Sequence, residues 1–133
     1  MDRSSRFSVG LERVRRGARA TRVRTRHSYR GGTGRDGYLW AINGKSWPHV
    51  EEIRLTAGAR NRLTFDNRSM MGHPIHLHRH TFELASGVRK DVLLVPAHTK
   101  LDVDVIADSP GPSLFHCHHQ LHMDFGFMAL LRY

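Results

Sequence analysis

Residues 101–106 read Leu-Asp-Val-Asp-Val-Ile, so apolar side chains alternate with the carboxylates of Asp102 and Asp104. Successive side chains of a β-strand point to opposite faces, and this alternation is typical of a strand with one buried and one solvated face. Outward from this stretch, residues 38–133 continue as short apolar or alternating runs that end at turn residues such as Asn43-Gly44. The pattern predicts a domain built from β-strands.

Short strands are predicted at roughly ten-residue intervals, with no long helical pattern and no internal repeat between them. The predicted strands are 38–42, 50–55, 60–65, 75–84, 92–95, 101–106, 113–117 and 127–131. A short helical turn is expected at 120–124. Such a series indicates an all-β sandwich or barrel.

The length and the charge distribution bound the possible function classes. A chain of 133 residues makes one domain, and no run of eighteen apolar residues predicts a membrane span. Residues 1–35 carry eleven Arg against two acidic residues, whereas residues 36–133 carry ten basic and ten acidic residues. The net charge of +9 therefore lies in the first segment, and the rest of the chain is neutral.

Residues 1–35 are predicted to be a flexible basic leader, and residues 36–133 the folded domain. The leader has few large apolar residues and no sustained period, and it ends in a glycine-rich stretch. An Arg-rich arm can contact phosphate nonspecifically, but no aromatic interleaving or nucleic-acid module accompanies it, so a disordered tail is the favoured interpretation. Arg15-Arg16 is not followed by the apolar segment of an export signal.

Histidine and cysteine are distributed unusually. The chain has eleven His and a single cysteine, Cys117, which excludes an internal disulfide. Eight His fall in two short clusters, Gly-His-Pro-Ile-His-Leu-His-Arg-His at 72–80 and Phe-His-Cys-His-His-Gln-Leu-His at 115–122. Isolated histidines are usually solvated and a lone cysteine is usually a small buried residue. Two clusters on predicted strands, one of them around the only cysteine, indicate a metal site instead.

Strand geometry divides these side chains between two faces. His116 and His118 point to one face of their strand and Cys117 to the opposite face. His76 and His78 likewise share a face of the first cluster's strand. Two sets of ligands on opposite sides of one layer are therefore expected.

One face is predicted to gather Cys117, His73, which can turn away from His76, and His122, which lies just past the strand. One thiolate with two imidazoles is the donor set of a blue-copper electron-transfer site. The other face gathers imidazoles alone, suited to oxygen-binding copper: His76, His78, His116 and His118. Zinc is the chemical rival, but these seven ligands divide over two faces instead of closing one tetrahedral site, so copper is preferred.

The two clusters resemble motifs of the multicopper oxidases, the family of laccases, bilirubin oxidases and bacterial copper oxidases. Residues 73–78 resemble its H-P-x-H-L-H motif, and residues 116–127 resemble its H-C-H-x-x-x-H-x-x-x-G motif with a following apolar residue. The segments 108–111 and 36–48 resemble the family's D-x-P-G segment and the opening strand of its third domain. The resemblance covers roughly residues 36–133 and implies a C-terminal, plastocyanin-like cupredoxin domain with a Greek-key β-sandwich or barrel.

The resemblance also implies a role for each ligand. His73, Cys117 and His122 would bind the type 1 copper. His76 would bind the type 2 copper, and the type 3 pair would be bound by His78, His116 and His118. An electron at the type 1 copper would then reach the other coppers through Cys117 and its chain neighbours, His116 and His118.

Several neighbouring residues remain open at this point. The axial position of the type 1 site falls on Phe127, which cannot coordinate, unless a local shift brings in the sulfur of Met128. His80 and His119 match no ligand position, so they are expected to support ligands or to be exposed. Asp124 would orient a ligand, meet a substrate or be solvated.

The implied function is that of a copper-dependent oxidoreductase that passes electrons from a reductant to oxygen. The reductant would be a phenol, an aromatic amine or a metal ion such as Cu(I). The family's oxygen-reducing cluster uses eight histidines, four of them from another cupredoxin domain, and residues 1–72 contain no H-x-H motif that could supply them. We therefore expect a type 1 site complete in this chain, half of a type 2 and type 3 cluster, and a second domain or chain as partner.

Three alternatives to an oxidase domain stay open. They are a single-domain blue-copper electron carrier, a copper-sequestering protein, and a truncated remnant without turnover. The family suggests a periplasmic or secreted protein, but the sequence does not fix the compartment.

Overall fold

The computed structural model describes residues 21–29 and 38–133. These residues form strands and one short helix. The strands are β1 (Thr21–Tyr29), β2 (Tyr38–Ile42), β3 (Ile53–Arg54), β4 (Arg60–Asn67), β5 (His73–Leu77), β6 (Phe82–Glu83), β7 (Arg89–Lys90), β8 (Val92–Val95), β9 (Lys100–Ile106), β10 (Ser113–Cys117) and β11 (Met128–Arg132). The helix α1 (Gln120–Asp124) lies between β10 and β11. No helix among the described residues is long and apolar enough to span a membrane.

The strands form two sheets. The first sheet has the order β2-β1-β4-β9-β6-β7, and the second has the order β3-β11-β10-β5-β8. Most neighbours are antiparallel, while β1 pairs with β4 and β3 with β11 in parallel. This confirms the prediction of an all-β, cupredoxin-like sandwich.

The core lies between the two sheets and is held by apolar side chains from both. Phe65 of β4 in the first sheet contacts Phe115 of β10 in the second sheet, with ring centroids 5.9 Å apart. Phe65 also meets Phe82 edge-on at 5.6 Å, and all three rings are essentially fully buried. Burying each side chain of this size contributes about 1.5–3 kcal/mol to folding.

The alternating stretch at 101–106 is strand β9, as predicted. Val103 and Val105 are buried, while Asp102 and Asp104 lie on the other face. There the Asp102 carboxylate accepts a hydrogen bond from Thr64 Oγ1 at 2.7 Å. One face of β9 therefore packs against the core and the other is solvated and hydrogen-bonded.

The predicted strand at 75–84 is wrong as a single element. Strand β5 ends at Leu77, and the chain resumes as β6 at Phe82 in the other sheet. Arg79 lies between them with φ of 63°, in the left-handed region that breaks an extended chain. The sequence concealed this turn, because residues on both sides of it, such as Leu77 and Phe82, face the same core.

The flexible leader predicted at 1–35 is wrong for Thr21–Tyr29, which form β1. This strand pairs with β2 on one side and β4 on the other, so both edges of its backbone are hydrogen-bonded. In the sequence, Thr and Val alternate with Arg from 21 to 25, a strand pattern that the excess of Arg obscured. The remainder of 1–35 lies outside the described residues.

Strands β5 and β10 are antiparallel neighbours in the second sheet, and they carry the two histidine clusters. The register pairs His76 with His116 and Ile75 with Cys117. Directly paired residues lie on the same face of a sheet. The topology therefore brings the clusters side by side and sorts their side chains between the core and the outer face.

Candidate metal centre

Three side chains converge at one end of the core: His73 at the start of β5, Cys117 at the end of β10, and His122 in α1. We call them the Cys/His triad. His73 Nδ1 lies 3.1 Å from His122 Nδ1, and Cys117 Sγ lies 3.6 Å from His122 Nδ1 and 3.8 Å from His73 Nδ1. All three residues are buried. A thiol and two imidazole nitrogens that face one another at these distances fit a single metal ion with a trigonal donor set.

Close backbone approaches bring the triad together. Gly126, at φ of 101°, returns the chain from α1 to β11, and a Cβ there would lie 2.9 Å from that of Ser46. Glycine adopts this left-handed conformation without strain.

Two aromatic rings pack against the triad. Trp40 lies with its ring 4.6 Å from the His73 ring and 4.4 Å from the His122 ring. Phe127 packs 4.8 Å from the His73 ring, and it is fully buried. These rings exclude water from the triad and supply no coordinating atom on the Phe127 side.

Burial keeps two members of the triad, His73 and Cys117, uncharged in the absence of a metal. Burial and, to a smaller extent, the positive charge that His122 can carry together lower the pKa of His73 to about 4. Burial raises the pKa of the Cys117 thiol, partly offset by a hydrogen bond from the backbone N–H of His119. At neutral pH His73 is thus a neutral imidazole, and a metal ion would displace the thiol proton.

A second group of imidazoles lies on the outer face of the same sheet, and we call it the histidine face. Its members are His76, His78, His116 and His118. His78 Nε2 lies 3.0 Å from His116 Nε2. His76, His78 and His116 each offer one ring nitrogen, and these three atoms lie within 4.8 Å of one another. The exposed His118 stands beside them, with its ring 5.8 Å from that of His116 and 5.7 Å from that of His76.

Backbone carbonyls orient two of these imidazoles. His116 Nδ1 lies 2.9 Å from the Cys117 oxygen, and His76 Nδ1 lies 2.8 Å from the Asp91 oxygen. A carbonyl oxygen only accepts, so Nδ1 carries the proton in both rings and Nε2 keeps its lone pair. Burial lowers the pKa of His116 and of His78, which favours the neutral, ligating forms of both rings.

The two groups are connected through the chain itself. His116 is paired across the sheet with His76 on the outer face, whereas the next residue, Cys117, is paired with the core residue Ile75. The triad and the histidine face thus lie back to back across one layer of backbone. The only thiol among the described residues is bonded in sequence to two members of the histidine face.

His80 and His119 differ in surroundings. His80 is buried and fixed by two hydrogen bonds, from Nδ1 to the His78 oxygen at 2.8 Å and between Nε2 and the Tyr133 hydroxyl at 2.8 Å. It supports the turn after His78 and is outside both groups. The exposed His119 ring stacks on that of His122 at 4.1 Å and 15°.

Asp124 and Met128 lie outside the triad. Asp124 is exposed and accepts a hydrogen bond from Gln120 Nε2 at 2.7 Å, within α1. Met128 is paired with His116, so its side chain belongs to the outer face, and Cys117 lies on the core side. Phe127, the residue just before β11, is therefore the one that packs beside the triad.

Sequence reasoning missed three residues that contact the triad or its surroundings: Trp40, Ser69 and Asn67. Trp40 lies in a predicted strand, but its contact with both imidazoles depends on how β2 packs against α1. Ser69 Oγ lies 2.8 Å from His73 Nε2 and 2.7 Å from Asn67 Oδ1. No local pattern marks these polar residues, because serine and asparagine are ordinary in a turn.

Comparisons with known proteins agree with this geometry. A sequence model of the family described as multicopper oxidase matches residues 19–133. The chain is 39% identical over 101 residues to the multicopper oxidase MmcO of Mycobacterium tuberculosis, covering 72% of the chain and 20% of that protein. It is 36% identical over 100 residues to copper resistance protein A of Escherichia coli, covering 71% of the chain and 16% of that protein.

Among solved structures, the chain resembles the blue copper oxidase from Nitrosomonas europaea. The TM-score is 0.71 at 25% identity, and the match covers 86% of this chain and 43% of that one. The chain spans about a fifth or less of the length of the two curated relatives. The match to the family model begins 17 residues before the domain boundary expected at residue 36 and includes β1.

Proposed function

Because the chain belongs to the multicopper oxidase family, we propose that it is the cupredoxin domain in which such an enzyme accepts electrons from a reducing substrate. The single observation that carries the proposal is the buried convergence of Cys117 Sγ with the Nδ1 atoms of His73 and His122. A type 1 copper would be held by these three atoms. The copper would supply one-electron redox chemistry, while the protein supplies a dry and rigid site.

The proposed type 1 copper would have no thioether ligand from this part of the chain. Phe127 packs its ring against His73, and Met128 is paired with His116 on the other face. A site without an axial thioether is expected to oxidise more strongly, because the axial ligand tunes the potential. The domain would therefore suit reductants such as phenols, aromatic amines or Cu(I).

The histidine face would contribute half of an oxygen-reducing cluster. His76 would bind the type 2 copper, and the type 3 pair would be bound by His78, His116 and His118. The remaining ligands would come from a second cupredoxin domain or chain that covers this outer face. The exposed Leu94, on the same face as Pro74 and His76, supports such a contact, since it offers apolar surface beside the imidazoles.

Cys117 would carry electrons between the two copper groups, through its backbone to His116 and His118.

The proposed domain begins at β1, and the residues before it remain a basic leader. Molecular oxygen would be the final acceptor, and oxygen reduction would need the partner that completes the cluster.

A single-domain blue-copper electron carrier is the second candidate, because the donor set of the triad is complete within this chain. The two candidates differ in the use of the histidine face. A carrier needs only the triad, whereas an oxidase domain needs both groups.

Titration of the purified chain with copper, followed by visible absorption and electron paramagnetic resonance, tests the proposal. An intense blue thiolate-to-copper band is expected, and it should be lost in Cys117→Ser. His49→Ala removes an exposed imidazole outside both groups and should leave the band intact. Weak and colourless binding by the unmodified chain would overturn the type 1 assignment.

The same titration separates the two candidates. An oxidase domain should bind further copper at the histidine face, and His78→Ala should remove that fraction while it keeps the blue band. If the blue copper is the only copper bound and His78→Ala changes nothing, the carrier is the better description.

A further inference from the structure

The end of β4 and the loop that follows it bury two polar side chains, the second of which contacts the triad. Asn67 is 1% exposed and Ser69 is 4% exposed. Ser69 Oγ lies 2.8 Å from His73 Nε2, the ring nitrogen that faces away from Cys117. Ring-nitrogen hydrogen bonds have no fixed direction until the positions of the protons are known. The surrounding hydrogen bonds supply those positions.

The Asn67 amide has one possible orientation. Its Nδ2 atom donates to the backbone oxygens of Met71 at 2.8 Å, Pro96 at 2.9 Å and Val95 at 3.1 Å, which can only accept. Its Oδ1 atom accepts from the backbone N–H of Ser69 at 3.0 Å. Rotating the amide by 180° would set an oxygen against three carbonyls and an NH₂ group against an N–H. Oδ1 therefore faces Ser69.

The Ser69 hydroxyl has a single proton, and its direction follows from Asn67. Oγ lies 2.7 Å from Asn67 Oδ1 and 3.0 Å from the Met71 oxygen, and both are acceptors. The proton must lie toward these oxygens, because turning it toward His73 would leave Oγ facing two acceptor oxygens with no proton between them. Only a lone pair of Oγ is then left for His73 Nε2. His73 must donate, so its proton is on Nε2.

We propose that Ser69 and Asn67 are positioning residues that hold neutral His73 as the Nε2–H tautomer, so that the Nδ1 lone pair faces Cys117 and His122. The inference rests on the proposed copper site for its purpose. A proton on Nδ1 would occupy the metal position and would have to move before a metal could bind. The hydrogen bonds from Asn67 through Ser69 to His73 disfavour this Nδ1–H form, as hydrogen-bonded partners of metal-binding histidines generally do.

The opposite arrangement on the histidine face follows the same rule. There the carbonyls of Asp91 and Cys117 take protons from Nδ1 of His76 and His116, leaving Nε2 as the ligand atom. At His73 no carbonyl has this role among the hydrogen bonds described, and the side chains of Ser69 and Asn67 supply the acceptor. The two sites therefore use opposite ring nitrogens because their acceptors lie on opposite edges of the rings.

The test is an NMR measurement of the histidine ring nitrogens in the metal-free, ¹⁵N-labelled chain. His73 should be protonated at Nε2 in the unmodified chain. Ser69→Ala should shift the population toward the Nδ1–H form, and Ser69→Thr, which keeps the hydroxyl, should restore it. Ser113→Ala is the matched control, since it removes another buried serine hydroxyl, one bonded to Arg79 and away from the triad.

Metal affinity gives a second readout, measured with Co(II) through its thiolate charge-transfer absorption. Ser69→Ala should weaken Co(II) binding 10- to 100-fold, the usual effect of losing a partner of a metal-binding histidine. Ser69→Thr and Ser113→Ala should bind within about twofold of the unmodified chain. An unchanged His73 tautomer together with unchanged Co(II) affinity in Ser69→Ala would overturn the inference.

The two measurements also separate this inference from the proposed function. If the unmodified chain binds neither copper nor Co(II), but His73 still loses its Nε2 proton in Ser69→Ala, the copper site fails and the positioning role stands. If metal binds with a blue band and the tautomer is independent of Ser69, the positioning role fails alone.

Discussion

His73 and Cys117 are held in their uncharged forms by the same cause. Neither side chain is exposed to solvent, and burial lowers the pKa of the imidazole and raises that of the thiol. Each shift opposes the form that would bring a charge into the apolar surroundings of Trp40 and Phe127. The metal-free protein thus keeps both groups neutral, and a cation can bind them with loss of the thiol proton.

The first prediction concerns the stability of the metal-free chain at acidic pH. His73 has a pKa of about 4 when folded and 6.5 as its ordinary value, so the unfolded chain takes up a proton first. Stability should be undiminished above pH 6.5 and should fall between pH 6.5 and 4, by up to about 3 kcal/mol from this residue. Urea unfolding at several pH values measures this change in the free energy of unfolding. His73→Gln should flatten the decline, and an equal decline in this variant would contradict the assignment.

The second prediction concerns the axial position. Phe127→Met would put a thioether beside the triad, and the type 1 reduction potential should fall because the sulfur favours Cu(II). The exchange of similar volumes should cost less than about 1.5 kcal/mol of stability. Met128→Leu is the control and should leave the potential unchanged, since Met128 is paired with His116 on the other face. Redox titration of the blue band measures both, and an equal shift in both variants would refute the placement.

At the scale of elements, the turn after β5 is hydrogen-bonded to the loop that precedes β10. Arg79 has φ of 63°, and its guanidinium donates to the oxygens of Pro110, Gly111 and Pro112 at 3.0 Å and to Ser113 Oγ at 2.9 Å. The side chain thereby links the turn that follows one histidine cluster to the loop that leads into the other. The hydrogen bonds offset the strain of a non-glycine residue in this conformation.

The third prediction separates these two effects of Arg79. Arg79→Ala loses the hydrogen bonds and keeps the strain, so it should destabilise the chain by roughly 2–3 kcal/mol. Arg79→Gly loses the same hydrogen bonds but relieves the left-handed strain, and it should be about 1 kcal/mol more stable than Arg79→Ala. Chemical denaturation measures the difference. Equal stabilities for the two variants would show that the backbone conformation costs little here.

Local elements could be predicted from the sequence, and long-range pairings could not. Strand β9 and helix α1 follow from patterns within a few residues, and their predicted bounds agree with the structure to within one residue. Strand β1 was missed because the charge of its arginines outweighed its alternation, and its stability depends on β2 and β4 as neighbours. The break at Arg79 was missed because its hydrogen-bond partners lie more than thirty residues away.

The features of the candidate site also separate into those that a local pattern predicts and those that depend on packing. Alternation along β10 is enough to separate Cys117 from His116, because strand geometry is local. The tautomer of His73, however, depends on Ser69 and Asn67, whose positions are fixed by the packing of the loop before β5. The contact of Trp40 with the triad likewise depends on packing between β2 and α1, which no sequence period records.

At the scale of the whole molecule, the two sheets have different outer faces. The first sheet exposes ion pairs such as Arg62 with Asp104 at 3.0 Å. The second sheet exposes the histidine face beside Leu94, which is 59% exposed. An apolar surface next to the proposed metal-binding imidazoles is suited to contact with a protein partner. The proposed division of labour therefore assigns electron entry to this chain and completion of the cluster to its partner.

The fourth prediction follows from this division. With copper and hydroquinone as the reductant, the isolated chain should bleach its blue band by one electron per chain and then stop. An oxygen electrode should record no sustained uptake, because the proposed function assigns half of the oxygen-reducing cluster to the partner. Sustained uptake that disappears in His118→Ala and persists in His49→Ala would instead mean that the chain completes the cluster alone.

Trp40 gives the protein a built-in optical reporter. Its indole lies against both imidazoles of the triad, and the other tryptophan, Trp47, is 38% exposed and outside this contact. In a Trp47→Phe variant, all indole emission would come from the wall of the triad, and Cu(II) bound there should quench it strongly. Fluorescence would then follow occupancy at nanomolar protein concentrations, where the blue colour is too weak to measure. Copper confined to the histidine face would leave the emission nearly unchanged, so the intensity of the emission from one ring distinguishes which side of the sheet has been filled.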